Sequence, residues 1–313
     1  MNAEATKATR PWRALALSGG GYLGLFTARV LSHVQAESKK PLAQRFDVIC
    51  GTSIGGALAL AAACSISMQE VVELFRERGL DIFNGYRPAR TAVGKLMDLS
   101  MSSLSPKYDG VALRAAYTAL FAHRPMGDTN TLCLIPAFDV TKGRVHVFRA
   151  GDPLSTDGVL PIVYVAMATS AVPAYFPPVR VDGDLYADGG LFAVSPDAFT
   201  LEEFPGYGSP NRGLRVLSIG TVSSYTHVTR AVPEGAGALG WLSDARLMFC
   251  MLAAQQQATA RLMRSQLGER WHRIDALWPD DMPIALDDAG TAMQERLIAL
   301  ADSAYALHKG WSA

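Results

Sequence analysis

Three short motifs of this sequence place a reactive side chain or a row of glycines at the end of a predicted strand. The first is Gly-Thr-Ser-Ile-Gly at Gly51–Gly55, between the apolar run 46–50 and the helical run that begins at Ala57. A sharp strand-to-helix turn holds its central residue in a strained backbone conformation and exposes the side chain, so Ser53 is a candidate nucleophile. The alternative, from these residues alone, is a Gly/Ser turn in which Ser53 only caps the helix.

The second motif, Gly19–Gly24, also follows a strand and opens a helix. Its spacing, Gly-x-Gly-x-x-Gly, matches a dinucleotide-binding fingerprint, but that function needs an acidic residue at the end of the next strand. Here Asp47 begins the next strand and Cys50 ends it, which argues against a dinucleotide cofactor. Consecutive glycines at a helix start expose N–H groups that converge on an anion. The motif therefore predicts an oxyanion hole formed by three glycines, Gly19, Gly20 and Gly21.

The third motif is Asp-Gly-Gly at Asp188–Gly190, after an apparent strand that ends at Tyr186. Asp-Gly is ordinarily a turn signal, and taken alone Asp188 is more typical of a turn than of catalysis. The doubled glycine and the preceding segment 168–178, ATSAVPAYFPP, distinguish it from the other Asp-Gly pairs of the chain. A serine hydroxyl needs a base within hydrogen-bond reach, and Asp188 is the candidate for that base.

Together, and in this order, the three motifs resemble those of the patatin-like phospholipases, whose oxyanion loop, nucleophile turn and Asp-Gly-Gly motif they match. The resemblance implies a dyad of Ser53 and Asp188 that works without histidine. It also implies an enzyme that cleaves ester-linked fatty acids from membrane phospholipids, with no cofactor and no metal needed for catalysis. One position departs from the pattern: Leu23 stands where many relatives have Arg or Lys, so a positive charge near the oxyanion is missing.

More narrowly, the chain is similar to the patatin-type effectors of bacterial anti-phage signalling (CBASS), which a cyclic dinucleotide such as cyclic GMP-AMP switches on. The similarity is carried by four segments, 25–31, 46–56, 215–221 and 284–290. It implies a cyclic dinucleotide activator and the phospholipids of the bacterial inner membrane as substrate. It also implies a cytoplasmic protein that acts at the inner membrane surface, and it leaves a homo-oligomer open. Two alternatives remain: a constitutive patatin-like lipase or esterase, and a catalytically weak signalling module with the same fold, which only Leu23 favours.

The main rival mechanism is an α/β-hydrolase triad, in which the chain order is also serine, acid and then histidine. His227 and His272 both follow Asp188 and could serve as its histidine. Against the triad, only one clear strand precedes Ser53, and the glycine loop comes off that same strand. The dyad is therefore the favoured mechanism.

Apolar runs of strand length alternate along the chain with helical patterns, which indicates an α/β fold. The clearest predicted strands are residues 14–18, 46–50, 132–140, 144–150 and 214–220. Helical patterns fit residues 22–37, 53–64, 68–79, 110–122, 161–170, 238–267 and 290–308. With the resemblance, this predicts a three-layer α/β/α patatin-like fold with a mostly parallel central sheet. We expect one domain over residues 1–313, with a motif-bearing core at about 14–220 and a C-terminal helical part at about 235–313.

A long irregular stretch, at about residues 80–109, is typical of a lid or a binding loop. It offers Gly85 and Gly94 as candidate hinges and an apolar set, Leu96, Met97, Leu99 and Met101. A lipase that shares a compartment with the membrane it cleaves needs a gate. We therefore expect this segment to cover Ser53 in the resting state.

The overall composition is typical of a folded protein that does not bind nucleic-acid polymers. Of the 313 residues, 49% are hydrophobic and 19% are charged, enough apolar material for a sizeable core. Lys and Arg together number 29, as do Asp and Glu, so no basic excess favours DNA or RNA as a partner. The 4 cysteines are far apart, and the first residues lack the apolar run of a signal peptide. We therefore expect a cytoplasmic protein without zinc or disulfides.

Overall fold

An eight-stranded sheet forms the frame of the fold in this computed structural model, which describes residues 11–83, 105–204, 213–222, 232–242, 246–279 and 284–308. The strands are β1 (Trp12–Leu17), β2 (Val48–Gly51), β3 (Leu132–Asp139), β4 (Arg144–Ala150), β5 (Val179–Val181), β6 (Asp184–Asp188), β7 (Leu214–Ile219) and β8 (Trp271–Ile274). Their order across the sheet is β5-β6-β3-β2-β1-β7-β8, and β4 also pairs with β3.

The centre of the sheet is parallel and one end is antiparallel. Strands β3, β2, β1, β7 and β8 run in one direction, whereas β4 and β6 pair antiparallel with β3 and β5 pairs antiparallel with β6. Parallel strands are covered on both faces by their connecting helices and therefore read as continuous apolar runs. The run 14–17 of β1 is fully buried in this way. The prediction of an α/β fold with a mostly parallel central sheet is confirmed.

Nine α-helices are present in the described ranges, and they cover both faces of the sheet. They are α1 (Gly24–Ser38), α2 (Ile54–Ala63), α3 (Met68–Ile82), α4 (Val111–Phe121), α5 (Ile162–Thr169), α6 (Ala198–Glu202), α7 (Ala238–Leu242), α8 (Arg246–Leu267) and α9 (Thr291–His308). Among these helices, none combines the length and the apolar character needed to cross a membrane.

Alternate residues of β1 point into two different cores, as the period of a strand requires. Leu15 and Leu17 belong to a large core that also includes side chains of α1 and α2. Ala14 and Ala16 belong to a smaller one, together with side chains of α6 and α8. The small alanines therefore face α8, and the leucines fill the thicker layer on the opposite face.

The C-terminal part of the chain is joined to the same sheet and helices. Strand β8 extends the sheet by pairing in parallel with β7. Helix α9 packs along α1, where Asp302 accepts hydrogen bonds from Arg29 Nε and His33 Nε2, each at 2.6 Å. The predicted C-terminal helical part therefore also contributes a strand.

Several short elements differ from the sequence-based expectation. Strands β5 and β8 and helix α6 have only three to five residues each, too few to show a hydrophobic period. The helix predicted over 238–267 is helical in both of its described parts, α7 and α8, and residues 243–245 between them lie outside the described ranges. Most of the expected lid, with Gly85, Gly94 and its apolar set, falls within residues 84–104, which also lie outside the described ranges.

Two strands, β2 and β6, run towards each other along one edge of β3, and this arrangement positions the functional site. Strand β4 occupies the other edge from Cys133 to Asp139. On the shared edge, β2 pairs with residues 132–134 and β6 pairs with residues 137–139. Because β2 is parallel to β3 and β6 is antiparallel to it, the end of β2 and Asp188 at the end of β6 meet beside Pro136.

Candidate active site

Ser53 lies in the turn between β2 and α2, in a backbone conformation that few residues adopt. Its φ is 57° and its ψ is −129°. The surrounding structure holds this strained conformation: the Ser53 N–H donates to Thr169 Oγ1 at 3.0 Å, and Thr169 Oγ1 donates to the Pro136 carbonyl at 2.7 Å. Backbone strain of this kind persists only where neighbouring contacts enforce it, and it is concentrated at functional sites. The structure therefore supports the predicted sharp turn at Ser53.

The turn is tight enough to require glycine at Gly55. A Cβ atom there would lie 2.4 Å from the Leu17 carbonyl oxygen, at the end of β1. Helix α2 consequently starts against the sheet, with its N-terminus directly behind Ser53. The positive end of the helix dipole then lies on the side where negative charge would develop.

Asp188 is buried, and no cationic side chain of the described residues pairs with it. It is 3% exposed, and its Oδ1 accepts a hydrogen bond from the Gly190 N–H at 2.6 Å. Burial, the largest influence, raises the pKa of Asp188 to about 7, although hydrogen bonds from the Ser53 side chain and the Gly190 N–H act to lower it. Its Oδ2 has no hydrogen-bond partner among the described residues. The structure thus brings Asp188 to Ser53 with a carboxyl group that exchanges a proton near neutral pH.

The glycine loop passes close to Ser53. A Cβ atom on Gly19 would lie 3.1 Å from Ser53 Cβ. The Gly19 N–H donates to the Val194 carbonyl at 2.8 Å, whereas those of Gly20 and Gly21 have no acceptor in the described part of the chain. Of the three predicted oxyanion donors, Gly20 and Gly21 are therefore the two that remain available.

Gly21 needs to be glycine for two reasons. Its φ is +59°, in the left-handed region that L side chains avoid, and a Cβ atom would lie 2.2 Å from the Leu286 carbonyl oxygen. The same carbonyl accepts a hydrogen bond from the Tyr22 N–H at 2.6 Å. Leu23, the residue that departs from the family pattern, is fully buried in the large core.

An apolar cleft of about 740 Å³, its open mouth included, begins at Ser53. Its walls come mainly from α3, α4 and the segment after α5, and its larger side chains are Tyr22, Phe75, Ile82, Phe83, Leu113, Tyr117, Val172, Tyr175, Phe176 and Leu286. Ligand sites are typically concave and mostly apolar, with few polar groups at the reacting end. The cleft has the chemistry to hold a hydrocarbon chain with one end at Ser53.

Gln255 of α8 holds the loop that follows Asp188, a role that sequence analysis missed. Its Nε2 donates to the Gly190 carbonyl at 3.1 Å, and its Oε1 accepts from the Val194 N–H at 2.9 Å. The Val194 carbonyl in turn accepts from Gly19. One side chain thus connects the Asp188 loop to the glycine loop. No sequence signal pointed to it, because glutamine is common on helix surfaces and its partners are more than 60 residues away.

His272, the histidine of the rival triad that the structure describes, is held by contacts away from Ser53 and Asp188. His272 pairs with Leu217 in the sheet, and its ring packs edge-on against His308 of α9 at 4.8 Å between centroids. Burial lowers the pKa of His272. His227 lies outside the described residues. Within those ranges, no group of three or more His, Cys, Asp or Glu side chains is placed to hold a metal ion.

Comparison with known proteins identifies the family to which this chain belongs. The family model described as patatin-like phospholipase matches residues 15–196, more than half of the chain. The chain belongs to the patatin-like phospholipase family. This confirms the resemblance carried by the three motifs, and the protein is a lipid hydrolase with a patatin-like fold.

Three members of the family share most of their length with this chain. A protein of Pseudomonas aeruginosa named cGAMP-activated phospholipase is 35% identical, over 84% of this chain and 78% of its own. Proteins of the same name are 28% identical in Escherichia coli, over 92% of this chain and 86% of theirs, and 31% identical in Vibrio cholerae, over 78% and 74%. The similarity therefore extends into the C-terminal part, beyond the range of the family model.

The buried carboxyl of Asp188 gives a prediction about stability. The pKa of this carboxyl group is near 7 in the folded protein and near 3.8 in the unfolded chain. At pH values between the two, the folded state therefore binds more protons than the unfolded state. The free energy of unfolding of the wild-type protein should therefore fall as pH rises from about 4 to about 7. Asp188→Asn does not titrate, so its stability relative to wild type should increase over this range by up to about 4 kcal/mol. Urea unfolding across pH measures this; a difference that does not depend on pH would contradict it.

Gln255 gives a second prediction, which separates positioning from substrate binding. Gln255→Ala removes both hydrogen bonds to the loop after Asp188, and small misplacements of a catalytic group cost up to about 100-fold in rate. We expect kcat for fatty acid release to fall about 10- to 100-fold, with KM changed less than about threefold. Gln266→Ala, an exposed glutamine of the same helix, is the matched control and should keep wild-type kinetics. Equal kcat in both variants would show that the Gln255 clamp does not position the site.

Proposed function

We propose that this protein hydrolyses ester-linked fatty acids of membrane phospholipids, with Ser53 as nucleophile and Asp188 as its base. The observation that carries the proposal is the buried Asp188 carboxyl, which has no cationic partner among the described residues and a pKa of about 7, beside a serine in a strained turn. A general base works best when its pKa lies near the operating pH. At neutral pH a large fraction of Asp188 is ionised and able to take the Ser53 proton.

In the first step, Ser53 Oγ attacks the ester carbonyl carbon while its proton moves to Asp188. The carbonyl oxygen becomes an oxyanion and accepts hydrogen bonds from the N–H groups of Gly20 and Gly21. A donor of this kind typically contributes about 10²–10³ in rate. Because the described residues leave both N–H groups without another acceptor, they need not break an existing bond to act.

The second half of the reaction uses the same groups in reverse. The C–O bond to the leaving group breaks, and Asp188 gives its proton to the lysophospholipid oxygen, which leaves an acyl group on Ser53. Asp188 then takes a proton from a water molecule as that water attacks the acyl-enzyme. The fatty acid leaves and the proton returns to Ser53 Oγ, so both residues end as they began.

The substrate side of the proposal is supported by the apolar surfaces around Ser53. The cleft that Ser53 lines is walled almost entirely by apolar side chains, which suits a hydrocarbon chain. Leu191 and Phe192, directly after the Asp188 motif, are 42% and 54% exposed. Exposed apolar side chains beside a reactive site are typical of a surface that meets membrane or another apolar partner. We propose that the protein acts in the cytoplasm at the inner surface of the bacterial inner membrane.

Control by a cyclic dinucleotide is the second part of the proposal. It is supported by three relatives named cGAMP-activated phospholipase, at 28% to 35% identity over most of the chain. A lipase that reaches its own cell's membrane needs such a switch. A ligand that shifts an open-to-closed ratio from 1:99 to 99:1 must favour the open form by about 5.5 kcal/mol.

The chemical proposal predicts strong non-additivity between the two residues. Ser53→Ala and Asp188→Asn should each abolish fatty acid release from phospholipid vesicles, and the double variant should be no worse than either, because the two act as one unit. His272→Ala, which removes the described histidine of the rival triad, should keep wild-type activity within about twofold. A loss of several orders of magnitude in that variant, or near-wild-type release by Ser53→Ala, would assign the chemistry to other residues.

The regulatory proposal predicts a low basal rate and a steep response. Fatty acid release should rise at least tenfold when cyclic GMP-AMP is added to the protein and vesicles, and calorimetry should detect its binding. Full activity that stays unchanged across a panel of cyclic di- and trinucleotides, none of which binds, would leave a constitutive lipase. Binding without hydrolysis under any condition would leave a signalling module.

A further inference from the structure

A second pocket, separate from the apolar cleft, lies between α8 and β8. It has a volume of about 1060 Å³ including its open mouth, and it shares no lining residue with the cleft at Ser53. Its polar lining residues are Gln256, Gln257, Arg261, Arg264, Arg273 and Asp275. The mechanism proposed above uses none of them.

The pocket carries an excess of positive charge. Three guanidinium groups face one carboxylate, that of Asp275, which is already paired with Arg273 at 2.8 Å and accepts the Val222 N–H at 3.0 Å. Neither Arg261 nor Arg264 forms an ion pair with any described residue, and both are exposed. The excess charge of the pocket therefore comes from these two arginines.

The position of these arginines is unfavourable unless an anion lies between them. They are three residues apart on one face of α8, and like charges at this spacing weaken a helix. The Arg264 guanidinium is ordered by stacking on the Trp271 ring at 5.3 Å, so its rotational freedom is already reduced. A pre-ordered, planar guanidinium beside a second one is suited to phosphate oxygens, which it binds through two parallel hydrogen bonds.

We propose that this pocket binds the phosphodiester groups of the activating cyclic dinucleotide, with Arg261 and Arg264 as the phosphate ligands. The inference rests on the regulatory part of the proposed function and assigns it a site. A cyclic dinucleotide carries two negative charges, one on each phosphodiester, and these match the two arginines that no described carboxylate pairs with. Guanidinium planes also stack on bases, and the exposed Gln257 amide offers hydrogen bonds to a base edge.

The walls of the pocket touch both halves of the catalytic site. Arg273 donates to Ser218 Oγ at 2.8 Å and to Ser18 Oγ at 3.3 Å, and Ser18 directly precedes the glycine loop. On the other wall, Gln255 is the residue before Gln256 and holds the loop after Asp188. A ligand that changes the position of α8 relative to β8 would therefore act on both loops. Arg273 and Gln255 are the positioning residues of this link.

The test compares two charge-reversed proteins. Arg261→Glu/Arg264→Glu removes both phosphate ligands. The control Arg114→Glu replaces an exposed arginine that is likewise stacked on a ring, that of Tyr164 at 5.0 Å, and that does not line the pocket. Cyclic GMP-AMP binding is measured by calorimetry without lipid, and stimulated fatty acid release and co-sedimentation are measured with phosphatidylethanolamine/phosphatidylglycerol vesicles. Urea unfolding of each variant shows that it is folded.

The double variant should bind cyclic GMP-AMP at least 100-fold more weakly than wild type, while Arg114→Glu binds within about twofold. Equal binding by the folded double variant and wild type would overturn the pocket assignment and leave the proposed activation intact. No binding by wild type would overturn both. Loss of vesicle co-sedimentation with unchanged nucleotide binding would assign the pocket to lipid headgroup phosphates instead, and would also overturn the proposal. If wild type binds cyclic GMP-AMP but releases no fatty acid, and the double variant loses binding, the result would support the pocket and contradict only the chemistry.

Discussion

The buried carboxyl of Asp188 is the constraint around which the site is organised. Burying a carboxylate without a cationic partner is costly, because the charged form loses its hydration. Burial therefore raises the pKa of Asp188 to about 7, so that the group is partly protonated at neutral pH. A salt bridge there would stabilise the fold but would hold the group permanently ionised and weakly basic. Among the described residues, Asp188 instead accepts a hydrogen bond from the Gly190 N–H, and the neighbouring Ser53 side chain also acts to lower its pKa. Catalytic use of Asp188 and a loss of stability as pH rises from about 4 to about 7 therefore have the same physical origin.

The sheet brings this carboxyl to the serine because two strands, β2 and β6, run towards each other along one edge of β3. Once β2 and β6 share that edge, the turn after β2 and the turn after β6 meet at Pro136, whose carbonyl helps to hold the Ser53 backbone through Thr169. The C-terminal part then fixes the two loops from outside, through Gln255 on α8 and Arg273 on β8. These contacts make the C-terminal part a component of the site as well as of the fold.

The sequence predicted what is encoded locally and missed what depends on distant partners. The Ser53 turn and the parallel centre of the sheet follow from glycine spacing and from continuous apolar runs, which act over a few residues. Strand β8 was not predicted because its four residues, Trp271–Ile274, include His and Arg and become a strand only by pairing with β7. Gln255 and Arg273 were missed because both residue types are common on surfaces and contact loops far away in sequence. The acceptor of the Gly19 N–H, Val194, could likewise be found only in the structure.

The most direct measurement of the central claim is the pH dependence of Ser53 reactivity towards a fluorophosphonate, with the labelled peptide identified by mass spectrometry. Because the ionised form of Asp188 activates Ser53, the labelling rate should rise with pH, pass half of its maximum at about pH 7 and level off at higher pH. Asp188→Asn should react slowly at every pH, and His272→Ala should reproduce the wild-type profile. A midpoint near pH 4, labelling of a residue other than Ser53, or loss of the profile in His272→Ala would contradict the account.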